Sequence, residues 1–309
     1  MATARLIAID WGSTRLRAWL LGPGGAVLDE RGSADGASLV HGGAAGFDIA
    51  LQSLVGDWWA PGLPALACGM VGSAHGWREA AYVGCPAELG QLHRQLVRVD
   101  TAAGAALHIV PGLLDDPAGG TPDVMRGEET QLVGLLALQP ALAAAACVLM
   151  PGTHAKWVQL EQGRVTGFRT RMTGELYALL RQHSVLGRLM PATDTAWHGD
   201  AFAAGVAAAR RSVGTDLVGQ LFAVRTLGLS ARWPAAALPD YLSGLLIGHE
   251  LAAGLPRQPA TLVLVGEPAL CQRYGQALRQ FGAEPACVFD NTASTGLWQL
   301  AVSAGLVAP

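Results

Sequence analysis

The stretch Leu6-Ile7-Ala8-Ile9-Asp10-Trp11-Gly12-Ser13-Thr14 decides the reading of this chain. Leu6–Ile9 is a short apolar run of the kind a buried strand needs, and it ends on a carboxylate and a Gly-hydroxyl turn. Arg15–Leu21 then alternates, Leu16, Ala18 and Leu20 against Arg15, Arg17 and Trp19, which is strand periodicity. Gly22-Pro23-Gly24-Gly25 is a turn, and Ala26–Arg31 fits a third strand. The segment predicts an antiparallel meander of three strands.

The same order returns 140 positions later, Gly12 falling on Gly152 and Leu20 on Leu160. Cys147–Met150 is the buried run, Pro151-Gly152-Thr153-His154 the turn, Lys156–Leu160 the second strand and Val165–Thr170 the third. Two such turns, each at the first corner of a meander, predict a duplicated lobe. Helical spacing is expected over Glu88–Val97, Glu128–Ala137, Thr173–Leu189, Asp200–Arg211, Leu217–Leu227, Asp240–Ala253, Ala269–Phe281 and Thr295–Leu306. Thr261–Val265 and Cys287–Phe289 read as further strands, and Gly42–Gly46, Cys68–Pro86 and Pro111–Pro122 as loops. The fold class is α/β with two lobes.

Composition sets the outer limits. The 309 residues are 51% apolar and 15% charged, which excludes disorder and supplies a large core. Twenty-one basic against 24 acidic side chains give a net charge of −3, no footprint for nucleic acid or an anionic membrane. Five cysteines without a C-x-x-C pair fit free thiols in a reducing compartment, and the start MATARLIAIDWGST has no secretory pattern. Leu132–Met150 is long and apolar, but Gln139-Pro140 at its middle makes it a helix, a turn and a buried strand. A cytoplasmic protein is expected.

Several chemistries lack their residues. A Walker A loop needs G-x-x-x-x-G-K-[ST], and the one lysine, Lys156, stands between Ala155 and Trp157. No G-x-S-x-G elbow, H-E-x-x-H helix, Cys/His zinc spacing or G-x-G-x-x-G after the first strand occurs. What remains is the pair of Gly-hydroxyl turns. Each is a plain hairpin corner on its own; as a pair they can grip the phosphates of one nucleotide through backbone N–H groups and hydroxyls. Asp10 beside the first turn is either an Asx-turn acceptor or the carboxylate that holds water around Mg²⁺.

Arg126-Gly127-Glu128-Glu129 is the other cluster. Acidic residues at a helix start are ordinary dipole partners; read functionally, they offer a general base with Arg126 as an anion contact. Neighbours on a helix point about 100° apart, so one glutamate at most faces a site. Glu128 lies four residues before Leu132 on the apolar stripe, while Glu129 has Leu132 and Leu136 at i+3 and i+7. Glu128 is chosen as the one nearer the helix N-terminus. The Gly-rich, aromatic Cys68–Pro86 segment is a long loop of the kind that binds ligands.

These residues resemble a known family. Ile7-Ala-Ile-Asp-Trp-Gly-Ser-Thr14, Met125-Arg-Gly-Glu-Glu-Thr-Gln131, Met150-Pro-Gly-Thr-His-Ala-Lys-Trp157, Met172-Thr-Gly-Glu-Leu176 and Leu242-Ser-Gly-Leu-Leu-Ile-Gly248 are similar to phrases of 2-dehydro-3-deoxygalactonokinases. The resemblance implies two ribonuclease-H-like lobes of the actin/hexokinase-like ATPase fold with a central nucleotide cleft. It also implies ATP, Mg²⁺ and transfer of the γ-phosphoryl to the 6-hydroxyl of 2-dehydro-3-deoxy-D-galactonate. On that basis residues 1–125 form an acceptor-binding lobe and 126–309 a nucleotide lobe, with the last helix packing back on the first; a homo-oligomer is compatible with this.

The expected site, carried over by position, has Asp10 and Glu128 as catalytic residues, Asp10 also serving the metal. Gly12, Ser13, Thr14, Gly152, Thr153, His154, Lys156, Gly266 and Glu267 would bind ATP, with Gly266-Glu267 where the fold usually has Gly-Gly or Gly-Thr. Gly72, Ser73, Trp77, Arg78 and Arg126 would bind the sugar acid. Two rivals stand beside this reading. A phosphohydrolase of the exopolyphosphatase type would use Glu128 on water, and a non-catalytic actin-like protein would bind nucleotide alone.

Overall fold

Every residue of Leu6–Trp11 (β1) is buried, as a strand covered on both faces requires. In the computed structural model, which describes residues 3–102, 104–193, 196–212, 216–256 and 260–309, β1 pairs antiparallel with Leu16–Leu21 (β2) and β2 with Val27–Ser33 (β3). This is the expected meander. Ala65–Gly69 (β4) adds to the other side of β1 in parallel, placing Cys68 opposite Asp10.

The strands that follow are Tyr82–Gly84 (β5), Ala87–Glu88 (β6), Val97–Asp100 (β7), Ala106–Ile109 (β8), Gly112–Asp115 (β9) and Asp123–Met125 (β10). The first sheet runs β3-β2-β1-β4-β8-β7, and a small second one runs β10-β9-β5. A third sheet is built on Ala145–Met150 (β11), Ala155–Glu161 (β12), Arg164–Arg171 (β13), Leu262–Val265 (β14) and Cys287–Phe289 (β15), with β6 at its edge, in the order β15-β14-β11-β12-β13-β6. The run β3-β2-β1-β4-β8 has its counterpart in β13-β12-β11-β14-β15. In both, a meander is followed by two strands added in parallel. The duplication read from the paired turns is therefore a duplication of sheet topology.

By compactness the chain divides into two units. The first runs to Ala146 and takes in Gln159–Phe168 and Asn291–Pro309; the second is Cys147–Val158 with Arg169–Asp290. Whereas the sequence suggests a boundary after residue 125, the units do not follow chain order. Within the first, Gly43–Val55 (α1) buries Phe47, Leu51 and Val55 at i, i+4 and i+8 beneath the sheet. Glu128–Leu138 (α2) also belongs here.

The second unit carries Thr173–His183 (α3), Gly199–Arg211 (α4), Leu217–Leu229 (α5), Leu238–Gly254 (α6) and Pro268–Gln280 (α7). Helix α6 is buried over almost its whole length and crosses α4 where Gly205 and Gly244 let the two backbones meet. A side chain at either glycine would run into a carbonyl of the opposite helix. The chain then returns to the first unit with Ala293–Ser303 (α8), which packs on α2 through a similar pair, Gly134 and Gly296.

Local expectations are corrected at several places, and the expected 111–122 loop contains the strand β9. Glu88–Val97 is no α-helix: Glu88 ends β6, Leu89–Gln95 is 3₁₀, and Val97 opens β7, because ladder pairing to β8 and β13 takes both ends of the segment. Residues 43–46 begin α1 instead of a loop, and Cys68-Gly69 completes β4. The helix expected to Leu189 stops at His183, where Ser184 turns extended and its hydroxyl bonds back to Leu180 O at 2.5 Å. Among the described residues no helix is long and apolar enough to cross a membrane.

Candidate active site

In the first unit, functional groups gather at the carboxyl ends of β1 and β4, where open α/β sheets bind their ligands. Asp10 is 9% exposed and sits directly across the ladder from Arg17. Arg17 Nη2 donates to Asp10 Oδ2 at 2.7 Å, and Asn291 Nδ2, just ahead of α8, donates to the same oxygen at 3.3 Å. Two donors from separate segments thus hold one carboxylate. The adjoining Gly12-Ser13-Thr14 turn is open, with Ser13 and Thr14 exposed. Its carbonyls are occupied from behind: Ala37 N donates to Gly12 O at 2.9 Å and Ser38 N to Ser13 O at 3.1 Å. Gly36 sits so close that a side chain there would overlap Ser13 and Thr14.

The start of α2 reaches the same place. Gly127 has φ 108°, a conformation that favours glycine, and a Cβ on it would lie 3.3 Å from Gly69 Cα at the end of β4. Glu128 is half-buried and its Oε2 accepts from Arg126 N at 3.1 Å. Glu129 is fully buried and accepts from Gly127 N at 2.6 Å and Thr130 Oγ1 at 3.0 Å. Burial, then repulsion from Glu128, pushes the Glu129 carboxyl up to about 8, so it is largely protonated at neutral pH. Burial, with Asp10 and Glu129 adding repulsion, also raises the Cys68 thiol well above its usual range, which leaves it an inert core group.

The expected acceptor residues divide. Gly72 and Arg126 come together: a Cβ on Gly72 would lie 3.0 Å from Arg126 Nη1. The Arg126 guanidinium stacks on the Tyr82 ring at 4.4 Å and donates through Nη2 to Ala80 O at 2.7 Å, while Nε and Nη1 are buried without a partner. Such orphaned donors are costly and call for an explanation. Trp77 packs instead into the core, edge-on to Trp11 at 6.3 Å and stacked with Phe47 at 6.1 Å. Ser73 is half-buried and Arg78 exposed on the same loop.

In the second unit, the Gly152-Thr153-His154 turn is built like the first. Thr153 and His154 are exposed, and α3 supports the turn from behind. Gly174 lies so close that a side chain would overlap Gly152 O, Glu175 N donates to Thr153 O at 3.0 Å, and the Glu175 carboxylate pairs with His154 Nε2. Lys156 is placed differently from a phosphate ligand: it is 5% exposed, and its ammonium donates to Thr170 Oγ1 on the neighbouring strand at 2.9 Å. Glu267 uses its carboxylate to cap α7, accepting from Ala269 N at 3.2 Å and Leu270 N at 2.9 Å. Gly266 backs onto the second turn, where a Cβ would lie 3.2 Å from Pro151 O.

Beside Gly152 opens a cavity of about 270 Å³ between α3, α6 and α7. Leu246, Ile247 and Leu270 give it apolar walls, Tyr177 and Tyr274 aromatic ones, and Arg181 and Arg273 supply charge. Arg273 is itself held, by Asp240 Oδ1 at 3.1 Å and by stacking on Trp197 at 4.4 Å. A cavity of about 420 Å³ lies along Gly266, Cys271, Gly275 and Phe289, and it contains no phosphate-turn residue. Sequence reading missed Arg17, Asn291, Tyr82, Arg181 and Arg273. The sequence carries a signal for part of this: Met172-Thr-Gly-Glu-Leu176 and Leu242-Ser-Gly-Leu-Leu-Ile-Gly248, two of the phrases that carry the family resemblance, form the support of the second turn and a wall of the cavity.

The donor set around Asp10 speaks to metal. Among the described residues no three His, Cys, Asp or Glu side chains form a metal-binding group. One carboxylate beside an open turn fits a Mg²⁺ held chiefly by phosphate oxygens and water, the mode usual for that ion.

Comparison with known proteins follows the same lines. Residues 10–300 match the family of 2-keto-3-deoxy-galactonokinase. The 2-dehydro-3-deoxygalactonokinase of Escherichia coli is 39% identical over 297 residues, 94% of this chain and 95% of its own. A crystal structure from Sinorhizobium meliloti, described as a 2-dehydro-3-deoxygalactonokinase protein, superposes with a TM-score of 0.84 at 36% identity, covering 96% of this chain and 98% of that one. The activator of 2-hydroxyisocaproyl-CoA dehydratase from Clostridium difficile, solved with bound ADPNP, reaches a TM-score of 0.50 at 15% identity, covering 98% and 94%. Likeness at that identity speaks for the fold alone, the actin/hexokinase-like ATPase fold.

Proposed function

The chain belongs to the 2-keto-3-deoxy-galactonokinase family and is a sugar kinase of galactonate catabolism, and from that premise we propose that it transfers the γ-phosphoryl of ATP to the 6-hydroxyl of 2-dehydro-3-deoxy-D-galactonate. The observation that carries the assignment of residues is the pair of open Gly-hydroxyl turns, each at the first corner of a duplicated sheet and each held from behind, at Gly12 O and Ser13 O in the first and at Thr153 O in the second. Turns so arranged leave the Ser13, Thr14 and Thr153 hydroxyls for phosphate oxygens, while Gly12 N closes the first turn on Arg15 O. The Gly152 cavity takes the nucleoside, its apolar walls suiting a base and its two guanidiniums the phosphates. Free cysteines throughout fit a cytoplasmic enzyme.

Asp10 would hold Mg²⁺ through water, and the metal when bound neutralises phosphate charge. Glu128 accepts the proton of the attacking hydroxyl; it is less buried than Glu129, whose carboxyl burial keeps largely protonated at neutral pH. Arg126, with Nε and Nη1 unpaired, is the group for the acceptor's carboxylate, which a planar fork recognises better than an ammonium does. A coupled ADP-release assay across 2-keto-3-deoxy sugar acids and neutral hexoses tests the reading. Turnover should be confined to the keto acids, and comparable turnover of a neutral hexose would overturn it.

A further inference from the structure

Glu250 on α6 is 4% exposed; burial raises its carboxyl above the ordinary range, and hydrogen bonds from Thr173, Tyr274 and Trp157 work against that rise. Its Oε1 accepts from Trp157 Nε1 on β12 at 2.9 Å. Its Oε2 accepts from Tyr274 Oη on α7 at 2.6 Å and from Thr173 Oγ1 at the start of α3. Four elements thus converge on one buried side chain. As a stabilising device this is a poor choice, since well-packed apolar residues usually serve as well or better than a buried charge. Its partners suggest another use, because Thr173 and Tyr274 are also walls of the Gly152 cavity.

We propose that Glu250 is a positioning residue that fixes the hydrogen-bonding sense of the nucleotide cavity. A hydroxyl has one proton. With both protons committed to Glu250 Oε2, Thr173 Oγ1, the less buried of the two hydroxyls, can only accept from a ligand, while Tyr274, 1% exposed, helps hold the carboxylate in place. The cavity is thereby set to receive a nucleoside that presents donors: a ribose hydroxyl or an exocyclic amino group. A nucleoside offering a carbonyl or a missing hydroxyl at that point leaves a buried oxygen unmatched, which binding sites reject strongly. This rests on the reading that the Gly152 cavity takes the nucleotide.

The test compares KM and kcat for ATP, ITP (amino group replaced by carbonyl) and 2′-deoxy-ATP in the wild type, Glu250→Gln and Thr173→Val. In the wild type at least one analogue should show a KM about 10-fold above that of ATP with kcat little changed. Glu250→Gln, whose amide can donate back and release a hydroxyl proton, should reduce that ratio several-fold. Thr173→Val should reduce it as well, and Thr173→Ser should restore it. The ITP arm identifies an amino donor, and the deoxy arm a ribose donor. Equal KM for all three nucleotides in the wild type, or ratios unchanged in both variants when folded, overturns the proposal. Should Glu250→Gln fail to fold, the Thr173 pair decides alone. Leu270→Trp, which fills the cavity, separates the two readings: if it leaves ADP affinity intact, the nucleotide lies elsewhere and the cavity assignment fails first.

Discussion

Asp10 and Arg17 face each other across the first hairpin, with carboxylate and guanidinium 2.7 Å apart. The register of β1 and β2 produces this pair directly, since residues opposite each other on a ladder share a face. The pair keeps the carboxylate at the end of β1 in one place while leaving the adjoining turn open. Phosphoryl transfer depends chiefly on positioning and charge neutralisation, so this is where loss of one charge should be most costly.

Asp10→Asn should lower kcat by at least about 10²-fold, the scale on which electrostatic groups act in such sites. Thermal stability should change little, because the amide keeps the volume and an oxygen for Arg17. Steady-state kinetics beside a melting curve checks this, and near-normal turnover in the folded variant removes Asp10 from the site.

Glu128→Gln should cost about 10²-fold or more in kcat with ADP affinity unchanged, and Glu129→Gln much less. The reverse order would move the base to Glu129. Two mild losses would mean that neither residue serves.

Glu129 also ties stability to pH. The folded protein holds its proton up to about pH 8, while an unfolded chain releases it near 4.5. This contribution is therefore complete below about pH 4.5 and is lost as pH rises through about 8, at up to roughly 1.4 kcal/mol per pH unit. Between about pH 6 and 8.5 the wild type should lose Tm faster than Glu129→Gln. Parallel curves would place the group's titration outside that window.

Arg126→Lys should raise KM for the acceptor several-fold and leave KM for ATP unchanged, since an ammonium cannot reproduce the fork. Arg78→Ala is the comparison on the exposed loop. If the acceptor KM is unmoved in both, the carboxylate is held by other residues.

Gly296→Ala should lower Tm by several degrees, because its Cβ would overlap Thr130 O where α8 crosses α2. Gly305→Ala, with nothing within 4 Å but φ +69°, should destabilise through backbone strain alone and by less. Equal losses would mean that the helix crossing yields without strain.

Much of this was legible in the chain. The alternation in Arg15–Leu21 and its echo in Lys156–Leu160 yielded both meanders, because strand period and turn chemistry are local properties. Segment 88–97 defeated the same reasoning: its helical spacing was overridden by strand pairing at both ends, a tertiary effect. In the candidate site, Asp10 and Glu128 were expected from their place beside glycines, and both lie where β1, β4 and the start of α2 meet. Asn291 and Arg273 were not expected, since each acts through a partner distant in sequence, Asp10 and Asp240; Arg17 is only seven residues from Asp10, but the hairpin register decides that it faces it. Lys156 shows what side-chain direction adds. The lone lysine beside a phosphate turn invites a ligand role, but strand alternation turns it to Thr170.

The most direct measurement is the balance of ADP, inorganic phosphate and phosphate ester when the enzyme, ATP and Mg²⁺ are incubated with and without 2-dehydro-3-deoxy-D-galactonate. With the acceptor, ADP and a 6-phosphate ester should form in equal amounts, read by ³¹P NMR, and without it neither ADP nor phosphate should accumulate. Release of inorganic phosphate at the same rate in the absence of the acid would contradict a kinase and make the protein a phosphohydrolase.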